Sequence, residues 1–164
     1  MKKVCLMSML LCAGAFAQSA TVVRWGGIVG VITAPGVDNP VGDIHSGAGP
    51  WATRDGSARI DLTSGEGSFE VEGLVLIGGT SSGTPGPVTS VVGTLVCNPG
   101  STAGATEAVL DTPATPLSLV GNAELAFKLN VPAVCNNPVF LIRVGSGKWI
   151  ATGTRSAIGP QFHY

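Results

Sequence analysis

Beyond about residue 20, no stretch of this chain keeps its apolar side chains at the three-to-four-residue spacing that gives a helix a buried face. Short runs of Val, Ile, Leu and Thr alternate instead with clusters of Gly, Pro, Asn and Asp, drawn from 24 glycines and 11 prolines. Runs of that length suit strands, and such clusters are turn chemistry. The punctuation predicts an all-β chain, an antiparallel β-sandwich of roughly eight to ten strands. Strands are expected at 21–25, 28–33, 58–63, 68–77, 88–97, 123–131, 139–144 and 148–154, with a weaker one at 106–110. A turn or two of helix is expected, if anywhere, at 103–110.

The clearest unit is "ARIDLTSGEGSFEVEG". Ile60 and Leu62 alternate with Arg59 and Asp61, and Phe69 and Val71 alternate with Glu70 and Glu72. An even turn around Gly65 and Glu66 would set Leu62 against Phe69, Ile60 against Val71 and Arg59 against Glu72. A one-residue slip would bury Asp61 against Phe69, so the even register is expected. Leu125, Phe127 and Leu129 alternate in the same way with Glu124 and Lys128. The glycines of "WGGIVG" (25–30) suit a bulge or a tight bend.

The first residues, "MKKVCLMSMLLCAGAFAQSA", carry a basic start, a short apolar run and the small-x-small triplet Ala15-Phe16-Ala17. They read as a secretory signal peptide, 1–17, cleaved before Gln18, with an apolar run too short to span a bilayer. Lipidation at Cys12 is disfavoured by Leu11, which stands where that pattern wants a small residue. One exported domain, 18–164, would remain, and in it only Cys97 and Cys135. Two cysteines in an oxidising compartment predict a disulfide. A metal site would need more ligands, and a redox motif would need Cys-x-x-Cys, which is absent. Loss of Lys2 and Lys3 leaves seven basic side chains against ten acidic ones, a net charge of about −3. That balance gives no footprint for nucleic acid.

Several stretches invite a chemical reading. Gly79-Thr80-Ser81-Ser82-Gly83 matches G-x-S-x-G after an apolar run, with Asp111 and His163 following in hydrolase order. The elbow needs a helix next, and "TPGPVTS" does not start one. "VGSGKW" lacks the first glycine and the final Ser or Thr of a phosphate loop, since Ile142 and Trp149 stand there. Asp61, Glu70 and Glu72 on one face would suit calcium or acid–base work, although exposed strand carboxylates are ordinary. His45 beside Asp43 lacks visible metal partners. Trp25, Trp51 and Trp149 are a large share of the aromatic surface. On a surface they would stack sugars or anchor a partner, and inside they would plug the core. The ending "AIGPQFHY" alternates like a barrel strand, but the strands look too short for an outer-membrane barrel.

The expectation is therefore an exported, non-enzymatic binding or structural domain. Its partner would sit at the envelope or outside the cell, a glycan among the candidates. The alternatives are a carbohydrate-binding module using surface tryptophans and a small secreted hydrolase using Ser81. Nothing in the sequence calls for a cofactor, a metal or a transmembrane segment after the leader.

Overall fold

The computed structural model describes residues 22–155 apart from Pro35, Ala48 and Ser146. The expected leader with Cys12, its expected cleavage point at Gln18, and the ending "AIGPQFHY" with His163 lie outside the described residues. The strands are β1 (Val22–Gly30), β2 (Trp51–Ala52), β3 (Asp55–Asp61), β4 (Glu66–Glu72), β5 (Val75–Leu76) and β6 (Ser90–Cys97). They continue with β7 (Ala108–Asp111), β8 (Thr115–Pro116), β9 (Ala123–Lys128), β10 (Val139–Arg143) and β11 (Trp149–Arg155). Among the described residues no helix is long and apolar enough to cross a membrane.

Nine strands form one antiparallel sheet in the order β7-β6-β10-β11-β1-β3-β4-β9, with β8 also on β6. The sheet curls until its halves face each other. Phe140 on β10 lies 5.6 Å from Phe69 on β4 and 6.3 Å from Phe127 on β9, ring centre to ring centre. Those strands stand four and five places away along the sheet, so the aromatic contacts define a sandwich core rather than neighbouring side chains. The Thr115 hydroxyl on β8 donates to the Glu124 carbonyl on β9 at 3.2 Å and draws the two ends of the sheet together. From Val91 to Cys97, β6 is buried throughout. This explains why "VVGTLVC" carries no charge and does not alternate as β3 and β4 do: both of its faces are covered, and the buried Thr94 hydroxyl is paired with Asp111.

The expected strands at 21–25 and 28–33 are one strand, β1, whose register shifts between Trp25 and Gly27 at a bulge. The expected strand at 68–77 is two. Gly73, at φ 63°, adopts a left-handed turn that sends β5 out of the main sheet to pair with β2. The helical turn comes earlier than expected, as a 3₁₀ helix at Pro99–Gly104, and the weak strand at 106–110 is β7.

The β3–β4 hairpin keeps its expected faces and loses its expected register. Ala58 lies opposite Phe69, Arg59 opposite Ser68 and Asp55 opposite Glu72. The turn falls two residues earlier because Asp61 closes it. Its carboxylate accepts from the Thr63 amide at 2.8 Å and its carbonyl from the Gly65 amide at 2.7 Å. An Asp that can cap its own turn outweighs a Gly-Glu pair two residues later.

Cys97 and Cys135 form the disulfide, 38 residues apart. Cys97 ends β6 and is fully buried, while Cys135 lies where the chain returns from β9 to β10. Beside the bridge, buried Asn98 donates to the Thr106 and Val134 carbonyls and accepts from the Asn136 amide, all within 3.0 Å. Bridge and amide together fasten the chain's return across the sandwich.

Candidate functional site

Outward-facing side chains of β1, β3, β4 and β9 form a shallow trough of about 760 Å³. Two rows cross the four strands. In the first, Arg24 lies opposite Arg59, Arg59 opposite Ser68, and Ser68 opposite Ala126. In the second, Ser57 lies opposite Glu70, and Glu70 opposite Glu124. Short side chains (Ser57, Ser68, Ala126) and Gly26 make the floor, and the arginines and glutamates make opposite corners. Trp25 and Phe69 border the trough, but their rings turn into the core and leave 1% and 3% of each residue exposed.

The charges are placed against local preference, because like charges directly across two strands repel. Arg24 faces Arg59 and Glu70 faces Glu124, so the trough holds one pair of each sign. Among the described residues none of these four forms an ion pair. Arg59 Nε donates to Ser68 Oγ at 3.1 Å, and Ser57 Oγ donates to Glu70 Oε1 at 3.0 Å. Neighbouring charges are compensated differently: Arg54 meets Glu72 at 2.6 Å and Lys128 meets Glu66 at 3.6 Å. On the far side of the arginine pair, Asp61 and Glu66 line a smaller depression.

The other residues singled out in the sequence are placed elsewhere. All three tryptophans are core residues rather than a stacking platform. Trp25 packs 5.6 Å from Phe140, and Trp51 and Trp149 are 4% and 6% exposed. Trp149 is covered by the segment before β2: its indole N–H donates to the Asn39 carbonyl at 2.8 Å, and its amide to the His45 carbonyl at 3.0 Å. Asp61, Glu70 and Glu72 do not converge, being committed to the turn, to Ser57 and to Arg54 respectively. Among the described residues no three His, Cys, Asp or Glu side chains gather as a metal-binding group.

Ser81 follows the two-residue β5 in a run of turns, not at the head of a helix. The Asp111 carboxylate accepts from Thr94 Oγ1 at 2.6 Å and from buried Arg143 at 3.0 Å. That carboxylate is a structural partner of β6 and β10. His163 lies outside the described residues.

His45 pairs with Asp38, not with Asp43 two residues before it. Asp38 Oδ1 also accepts from the Ser46 amide at 3.1 Å. The hydrogen bond from His45 holds the Asp38 carboxyl below its usual range against the opposing effect of desolvation, with the Ser46 amide and the charges of His45 and Lys148 assisting. A depressed carboxyl stabilises the fold above its ordinary value near 3.9, and that contribution is lost as the pH falls through its lower folded value. The carboxyl-carbon resonance of Asp38 should therefore titrate below about 3.9 and move upward in His45→Ala. An Asp38 titration that ignores this substitution would show that the pair does not form.

The sequence reading placed Arg59, Glu70 and Glu124 on outward faces but missed Arg24, the floor serines and the meeting of Glu70 with Glu124. Alternation identifies outward residues on each strand, while only the cross-strand register shows which of them meet. No family model matches the chain, and no curated protein or solved structure shows significant similarity to it.

Proposed function

We propose that this chain is an exported, non-enzymatic binding domain that presents the β1–β3–β4–β9 trough to a small polar ligand at the cell envelope or outside the cell. One observation carries the reading: two like-charge pairs of opposite sign stand at the corners of a concave, small-residue floor, each pair without an ion partner among the described residues. A sheet face selected for stability alone would alternate these signs, and departures from local consistency concentrate at functional surfaces. Export is supported by the leader-like first residues and by the disulfide, which suits an oxidising compartment.

The test is an amide chemical-shift screen of the oxidised, leader-free protein against oligosaccharides, peptides, polyamines and phosphorylated solutes. Ligands should move resonances of Arg24, Ser57, Ser68 and Glu124. A ligand whose footprint lies elsewhere would overturn the reading. So would ester or glycoside hydrolysis that disappears in Ser81→Ala or Glu70→Gln.

A further inference from the structure

From the arrangement of charge in the trough we infer its ligand class: a short zwitterionic peptide with free termini, lying extended and diagonal across the four strands. The inference rests on the trough being the ligand-facing surface. The Arg24–Arg59 pair bridges β1 and β3, and the Glu70–Glu124 pair bridges β4 and β9, one row further along. Strands about 4.8 Å apart and same-face rows about 6.8 Å apart put the midpoints of the two pairs about 12 Å from each other. An extended chain advances about 3.3–3.6 Å per residue, so the termini of a tri- or tetrapeptide span that distance.

Two guanidiniums suit a carboxylate, which accepts from both at once, and two carboxylates suit an ammonium with three donors. Between the corners lie Gly26, Ser57, Ser68 and Ala126, whose small side chains leave room for a backbone to approach the sheet. A neutral sugar would meet no open aromatic face here, because the Trp25 and Phe69 rings are turned inward. A polyanion or polycation would satisfy one corner and be repelled by the other. A ligand carrying both charges relieves both repulsions together.

The experiment titrates tetra-alanine with free termini, its N-acetylated form and its C-amidated form into the isotopically labelled, oxidised protein at low ionic strength, where screening is weak. The free peptide should shift amides of Arg24, Ser57, Ser68 and Glu124, and capping either end should weaken binding about three- to tenfold. In the Arg24→Gln/Arg59→Gln variant, amidating the C-terminus should make no further difference. In Glu70→Gln/Glu124→Gln, acetylating the N-terminus should make none. Both variants remove a repulsion and so should melt no lower than the parent.

Equal binding of free and capped peptides would overturn the inference, as would unmoved trough amides up to about 20 mM peptide. If the peptide fails while a neutral or singly charged solute moves the same amides, the trough remains the binding surface and only the ligand class falls. If every ligand found maps elsewhere, both readings fall.

Discussion

Truncating Phe140 to alanine should destabilise the domain by about 4 kcal/mol, the middle of the range for a buried aromatic. Phe140 is 1% exposed and its ring meets Trp25, Phe69 and Phe127, from β1, β4 and β9. It is a central point of contact between the curled sheet's two halves. The cavity left by the ring cannot readily close, because β10 is held by ladders to both β6 and β11. Packing is already tight there: a Cβ added at Gly93 would come within 2.8 Å of both the Phe140 and Phe69 rings. For a domain of this size the loss corresponds to a fall in Tm of roughly 10–15 °C. Urea unfolding of the variant against the parent measures it, and Phe140→Leu should fall between them. A cost below about 1 kcal/mol would mean that this cluster does not hold the halves together.

Removing the disulfide should have a comparable effect by a different route. Opening a 38-residue loop raises the entropy of the unfolded chain, by about 4 kcal/mol in the chain-entropy model. The loop contains β7, β8 and β9, so the bridge restrains the segment that supplies both edge strands of the sheet, β7 and β9, and returns to β10. The hydrogen bonds of Asn98 to the 134–136 segment do not involve the sulfurs, so the fold should survive reduction with a lower melting point. The measurement is thermal unfolding of Cys97→Ser/Cys135→Ser and of the parent with and without reductant. The double variant should match the reduced parent. An unchanged melting point in both would show that the segment is held by Asn98 and packing alone.

The two predictions divide along the boundary between local and long-range information. Alternation in β3, β4 and β9 marked the correct inward residues, the run of β6 reported a strand covered on both faces, and the two cysteines outside the expected leader implied their bond. Each is a signal contained in a few residues. The Asp61 turn was equally local but was overlooked in favour of Gly65 and Glu66, and that choice displaced the whole hairpin register. The burial of Trp51 and Trp149 had no such local signal, since segments far away in sequence cover them: Trp51 pairs with Leu76, and Asn39 accepts from the Trp149 indole.

The trough marks the limit of sequence reading most clearly. A strand's side-chain period is two, so any even shift of register leaves the same residues pointing outward while changing every cross-strand neighbour. Alternation alone therefore makes Arg59, Glu70 and Glu124 outward-facing, and it is silent on whether Arg59 meets Glu72 or Ser68. The β class, the faces and the pairing of the cysteines are short-range consequences of the residues themselves. The sheet order, the curl that buries the tryptophans and the meeting of Arg24 with Arg59 and Glu70 with Glu124 arise only when distant strands settle against one another. They depend on turn closure and core packing, which no single segment contains.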